Sequence, residues 1–213
     1  MRRRWPGVSG GLCLGGPPAA RRAEPETRPP PRIIAGEMLG TVKAAYGRID
    51  VLILNASGGM ERDVDPGYAL RLNRDAQLSL VEQAMDLMPR GSRIVFVTSH
   101  QAHFHGSRQV IDAYEPVARS KRAGEDALRA RIPELTARGI DLIVVSGDMI
   151  EGTITVVLLE RASPGIVDAR RSQVGQIPTV QEFASAVASA ATAVHPTGHT
   201  VYVGSHDYLP DLP

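Results

Sequence analysis

Ile49-Asp-Val-Leu-Ile-Leu-Asn-Ala-Ser-Gly-Gly59 is the stretch on which the fold turns. Its first six residues form a short, mostly apolar run, entered through Gly47-Arg48 and left through small and turn-forming residues. A run of this kind without polar alternation predicts a strand buried on both faces, as in the centre of a parallel sheet. The polar residues that follow lie where open parallel sheets bind their ligands, beyond the carboxyl ends of the strands.

Upstream, Ile34, Met38, Val42 and Ala45 or Tyr46 recur at helical spacing and stop at Gly47, predicting an amphipathic helix from about Ile33. Downstream the spacing predicts a helix from about Pro66 to Met88, a strand Arg93 to Thr98, a helix from about Pro116 to Arg131 and a strand Ile140 to Val145. A helix around Thr179 to Val194 and a strand Thr200 to Val203 follow. Alternation of this kind implies right-handed crossovers and an α/β fold with a Rossmann-type, doubly wound parallel sheet. Three strands end in polar residues: Asn55-Ala56-Ser57-Gly58, Ser99-His100-Gln101 and Ser146-Gly147-Asp148. They share one rim, and that rim is the candidate site.

The 213 residues suit one domain, and a net charge of +1 supplies no field to recruit nucleic acid or an anionic membrane. No run approaches the roughly 20 apolar residues of a membrane span. Residues 1–32 hold seven Arg, seven Pro and five Gly against two acids, too little apolar matter to offset ordering, so they are expected to be disordered and the domain to occupy 33–213. Their arginines lack the interleaved aromatics of a nucleic-acid site. The basic start MRRRW precedes a stretch broken by glycines and then Pro17-Pro18, which argues against a secretory signal. Cys13 has no second cysteine to pair with, and a free thiol fits a reducing compartment, so the cytoplasm is expected.

With the rim in place, the sequence resembles the short-chain dehydrogenase/reductase family over roughly Ile33 to Tyr208. The resemblance is carried by NASG at 55–58, Asn73 in LRLNRDAQLSL, Ser99 in VFVTSHQ, and Tyr114 and Lys121 in YEPVARSKRAGEDAL. It implies hydride transfer between NAD or NADP and a small-molecule carbonyl or alcohol substrate. It also implies Tyr114 as proton donor or acceptor, Lys121 as the cation assisting it and holding the cofactor ribose, and Ser99 as hydrogen-bond partner of the substrate oxygen. Asn73 would help hold a water that relays protons, while Asn55, Ala56, Ser57 and Gly58 line the cofactor. Thr153, in the SGDMIEGT that stands where the family has a Pro-Gly segment, would contact the nicotinamide amide. The TVVLLERASPG after it would be a mobile region covering the substrate, and family habit makes a homo-oligomer possible.

The residues themselves say something about Lys121. Only Lys43 and Lys121 are lysine among 24 basic residues, and Arg119 and Arg122 lie close by, so this position keeps a compact, tunable ammonium where arginine is otherwise used. The departures are equally specific. The family sets its tyrosine four residues before the lysine, where Val117 stands here; Tyr114 is seven residues before it. Two helical turns rise about 10 Å against about 6 Å for one, so the phenol joins the site only if the chain turns inward before the helix, which Pro116 at its first turn permits. Otherwise Tyr114 is a packing residue at a helix start. The family's glycine fingerprint, strand and helix have no counterpart: Pro6 to Gly16 is glycine-rich but has neither a strand before it nor a helix after it. The expectation is a chain truncated within the family's domain, its N-terminal strands missing and the 49–54 strand left as an apolar edge. A non-catalytic relative is the alternative to an active enzyme. His100, His103 and His105 lie close in one loop, but no cysteine or obvious carboxylate joins them, so no metal is expected and a polar loop over the cleft is the reading. Asp148 and Glu151 are read as solvated loop acids.

Overall fold

Strict alternation along two strands sets the layers. Ile94 and Phe96 of β2 (Arg93–Ser99), with Leu142 and Val144 of β3 (Asp141–Gly147), enter one core; Val95, Ile143 and Val145 enter another on the opposite face. Successive strand side chains point to opposite faces, so two runs without a polar residue demand cover on both sides. The computed structural model describes residues 31–61 and 64–209. Within them, β1 (Val51–Leu54), β2, β3 and β4 (Thr200–Val203) form a four-stranded, wholly parallel sheet in the order β1-β2-β3-β4.

The first core is closed by helices α1 (Pro31–Tyr46), α3 (Ala76–Ala84) and α5 (Glu115–Ala130), through Leu39, Val81, Ala84 and Leu128. The opposite core is closed by α9 (Val180–Thr192), through Ala190, Val187 and Phe183. Each large side chain buried this way is worth about 1.5–3 kcal/mol. Helices on both faces make the sheet doubly wound, as expected. α9 starts in a complete capping box, with Thr179 Oγ1 accepting from the Glu182 amide and the Glu182 carboxylate accepting from the Thr179 amide.

Several boundaries and elements differ from the sequence reading. Residues 49–50 stay outside β1, and β1 is no central strand among the described residues: it pairs only with β2, and Val51 and Ile53 are exposed. The expectation of an apolar edge describes it better than that of a strand buried on both faces. The helix expected over 66–88 is interrupted: α2 (Tyr68–Leu70) passes through a π turn, Arg71–Asp75, into α3 and a 3-10 turn, Met85–Leu87. After α5 the chain adds α6 (Ile132–Arg138), ended by Gly139 in the left-handed region. The segment read as a mobile cover, 155–165, is most of helix α7 (Ile154–Ala162) and the turn into α8 (Ile166–Val174), and the two helices pack through Leu159 and Val167 onto a third apolar cluster with Ala102, Tyr114, Val117 and Met149. The disorder expected for the arginine- and proline-rich segment, and its glycine stretch Pro6 to Gly16, concern residues outside the described ones; Pro31 and Arg32 open α1.

The π turn and α5 meet at Gly124, where a Cβ would lie 2.3 Å from the backbone oxygen of Asn73. Neither backbone can give way locally. Gly124→Ala is therefore expected to destabilise the fold by about 3 kcal/mol, as overpacking against a rigid wall does. An unchanged urea midpoint would show that the π turn is free to move.

Candidate active site

The carboxyl ends of β1, β2 and β3 converge on one cavity of about 600 Å³, lined by Asn55 and Ser57 after β1, Ser99 and His100 at the end of β2, and Asp148 and Met149 after β3. Tyr208, beyond β4, also lines it, as do Tyr114, Lys121 and Thr153. Six of the residues singled out in the sequence thus meet there: Asn55, Ser57, Ser99, Tyr114, Lys121 and Thr153. Ala56, Gly58 and Asn73 do not line it, and act from behind.

Asn73 is buried in the π turn and spends its whole amide on structure. Its Nδ2 donates to the Gly58 carbonyl and to Ser120 Oγ, both at 2.8 Å, and its Oδ1 accepts from the Gly58 amide at 3.2 Å. Gln77 Nε2 donates to the Ala56 carbonyl at 2.7 Å. The two amides therefore pin the 55–58 turn to the helix behind it, while Ser120 ties the same helix to α5.

Tyr114 reaches the cavity from just ahead of α5. Asp112–Tyr114 is a 3-10 turn, Tyr114 caps α5, and Pro116 lies in the first turn of that helix. A proline there needs no amide partner, so the helix begins immediately after a residue whose side chain the tighter turn aims inward. The ring is 6 % exposed and reaches the cavity. Val117, at the position four before Lys121, is buried in the apolar cluster under α7 and α8. Burial pushes the Tyr114 phenol above its ordinary value, and the Ser99 hydroxyl opposes that rise. Lys121, two helical turns further on, lies on the same cavity without being the group that offsets the phenol's burial.

Ser99 Oγ accepts from the Ala102 amide at 3.2 Å, capping the short helix α4 (His100–His103), which leaves the hydroxyl proton for another acceptor. Lys121 is 7 % exposed, and among the described residues its ammonium has no hydrogen bond or ion pair. Burial lowers its pKa to about 8, with the Glu125 carboxylate pulling the other way. Glu125, wholly buried, is itself held by His103 Nδ1 and Arg129 Nε, each at 2.8 Å. Thr153 caps α7, its hydroxyl donating to the Ile150 carbonyl at 2.8 Å and accepting from the Val156 amide at 3.5 Å.

The three histidines of the loop go to three separate partners. His100 Nδ1 lies 2.8 Å from Ser146 Oγ, His103 sits between Glu125 and the Tyr202 hydroxyl, and His105 pairs with Glu115. Among the described residues no group of His, Cys, Asp and Glu could hold a metal ion. Asp148 corrects the sequence reading: it is no solvated acid but is 8 % exposed and meets Arg170 of α8 through two hydrogen bonds, at 3.0 and 2.6 Å. Glu151 is exposed and pairs with Arg171. Sequence reasoning also missed Tyr208 and Thr98, whose buried Oγ1 lacks a partner among the described residues. No helix among the described residues is long and apolar enough to cross a membrane.

No protein-family model matches the chain. Solved structures do. The ligand-free aldohexose dehydrogenase of Thermoplasma acidophilum superposes with a TM-score of 0.65 at 20 % identity, covering 85 % of this chain and 77 % of that one. A glucose/ribitol dehydrogenase from Brucella melitensis, described as a short-chain dehydrogenase/reductase, gives 0.66 at 23 % identity over 81 % of this chain and 70 % of its own. The RhlG/NADP active-site complex of Pseudomonas aeruginosa gives 0.68 at 20 %, over 84 % and 73 %. At these identities likeness speaks for the fold, and the fold of this chain is that of the short-chain dehydrogenases/reductases.

Proposed function

We propose that the chain is an NAD(P)-dependent oxidoreductase of the short-chain dehydrogenase/reductase kind, transferring a hydride between nicotinamide and a small carbonyl or alcohol substrate. The observation that carries this reading is the meeting on one cavity of a buried phenol, a serine hydroxyl with a proton to give and the ammonium of a largely buried lysine that has no partner among the described residues. A poorly solvated ammonium without a protein partner favours a ligand rich in oxygen. The hydroxyls of a nicotinamide ribose meet that need, with Asn55 and Ser57 on the same wall. The pyrophosphate and adenosine end is different: among the described residues no glycine-rich turn opens a helix beside the free edge of β1 to hold it.

When bound, the nicotinamide supplies or accepts the hydride. The protein's part is to orient and to move a proton. Ser99 donates its hydroxyl proton to the substrate oxygen and fixes the reacting carbon. Tyr114 gives its phenolic proton to that oxygen during reduction and takes it back during oxidation. A phenol is protonated at neutral pH, and burial holds Tyr114 further in that form, the state that reduction requires. Lys121 would hold the ribose, and the Ser99 hydroxyl is the group that eases the phenolate. Asn73 keeps the 55–58 turn rigid as the cofactor's platform, its amide leaving no free group for a direct chemical role.

A second reading, a non-catalytic relative, draws on the lack of a pyrophosphate holder among the described residues. Titration of the purified chain with NADH and with NADPH, followed by nicotinamide fluorescence, separates the two. Saturable binding together with turnover of a carbonyl panel is the expected result. A folded chain that binds neither cofactor would overturn the catalytic reading and leave the second.

A further inference from the structure

The wall of the cavity opposite Lys121's helix is built by residues from three distant places in the chain. Arg170 lies between two carboxylates: its Nε and Nη2 donate to Asp148 at 3.0 and 2.6 Å, and its Nη1 and Nη2 donate to Asp207 at 2.6 and 2.8 Å. Arg108 donates to the carbonyls of Tyr208 and Leu209, at 3.3 and 3.0 Å. The segment after β4 is thereby clamped to α8 and to the loop after α4, with the Arg170 guanidinium 4.9 Å over the Tyr208 ring. Paired, fork-shaped hydrogen bonds of this kind fix geometry as well as charge. What they fix is Tyr208, whose phenol has no hydrogen bond among the described residues and whose ring faces the cavity.

Beside that ring, with centroids 5.3 Å apart, is His100. It also lines the cavity, and its Nε2 is buried with no partner among the described residues. Its tautomer follows from Ser146: among the described residues the serine hydroxyl has only His100 Nδ1, at 2.8 Å, to receive its proton. Nε2 then carries the imidazole proton and is a donor with nothing to donate to. Burial lowers the His100 pKa to about 4, so the ring is neutral and suits an uncharged acceptor. Its other aromatic neighbours, Phe104 and Tyr202, do not line the cavity, so of the rings around it only Tyr208 shares the cavity with His100.

We infer that His100 and Tyr208 are specificity-determining residues for a planar, apolar carbonyl compound bearing a second oxygen: the flat body stacks on Tyr208 and the second oxygen accepts from His100 Nε2. The inference rests on the proposed oxidoreductase reading, since the first oxygen belongs to Ser99 and Tyr114. The apolar part of the wall, with Met149, Ile150, Val156 and Leu159, suits such a body. Arg170 and Asp207 are positioning residues, acting through Tyr208.

The test uses the full chain without cofactor and two probes that differ by one oxygen: 1-phenyl-1,2-propanedione and propiophenone. Calorimetry is expected to show about tenfold tighter binding of the dione, the worth of one buried donor satisfied. The 15N signal of His100 Nε2 should move with the dione and not with propiophenone. His100→Phe should erase the preference, and Tyr208→Ala should weaken both probes about tenfold while Tyr208→Phe restores them. Asp207→Asn should reproduce part of the Tyr208→Ala loss. Equal binding of the two probes, a silent His100 signal, or no binding at all overturns the inference. Failure of the oxidoreductase reading looks different: probe binding that depends on His100 and Tyr208 persists, but neither NADH nor NADPH binds.

Discussion

Replacing Tyr114 by phenylalanine is expected to lower hydride transfer about 10³-fold, within the range that positioned acid–base groups supply, while cofactor binding and stability stay unchanged. Only the hydroxyl is lost. The ring remains in its apolar cluster with Val117 and Leu159, so the fold has no reason to respond. The phenol is buried and its proton is retained at neutral pH, so it can serve as a neutral acid on the cavity with Ser99, whose hydroxyl acts on it directly. The measurement is a single-turnover rate on any carbonyl the chain reduces, with NADPH or NADH saturating. A variant as fast as the parent would move the proton to another donor and leave Tyr114 with packing alone. Val117→Tyr, which restores the family's spacing, is not a rescue: the Val117 side chain is buried, and a Cβ at Gly59 would already meet it at 3.2 Å.

Lys121→Met should abolish activity and yet stabilise the protein. Burial lowers the Lys121 pKa from 10.5 to about 8. Below pH 8 the lysine is charged in both folded and unfolded chains, and the folded chain carries the desolvation cost in full, on the order of 3 kcal/mol for a shift of this size. Between about pH 8 and 10.5 the unfolded chain binds more protons than the folded one, so the parent gains stability as pH rises and the variant's advantage shrinks. Above that window the lysine is neutral in both states and the difference reduces to packing. Urea unfolding at pH 7 and pH 10.5 measures this directly. A variant no more stable than the parent at pH 7 would mean that water or an unseen partner already solvates the ammonium. Stability given up for a charge at a cavity is what a functional lysine looks like, and a cofactor ribose would return part of it on binding.

The sheet and its rim were legible because each rests on local pattern. Unbroken apolar runs at 94–97 and 142–145, the first followed by Thr, Ser and His and the second by Ser, Gly and Asp, locate both a buried strand and the point where it meets ligand. Lys121 was legible for a chemical reason, being a lysine kept among arginines. Tyr114 was ambiguous because its direction depends on where α5 begins, and a 3-10 turn ahead of Pro116 moves that start by a few residues without any change in composition. The segment 155–165, now α7 and the turn after it, was read as a mobile cover because its apolar residues face a cluster assembled from α4, α5 and the loop after β3, not a sheet.

The amino-acid sequence by itself determined a parallel α/β sheet, its polar rim, and the candidates Ser99 and Lys121 upon it, since strand burial and helix periodicity are written in neighbouring residues. Tertiary structure alone decided that Tyr114 faces the cavity, that Asp148 is buried against Arg170, and that Tyr208 covers His100. Arg170 stands 22 residues from Asp148 and 37 from Asp207, and both pairings exist only once α8 folds back over the strand ends. No local pattern encodes them, because an ion pair or a stacked ring is a relation between surfaces that crossovers bring together, whereas periodicity reports only which side of its own element a residue faces.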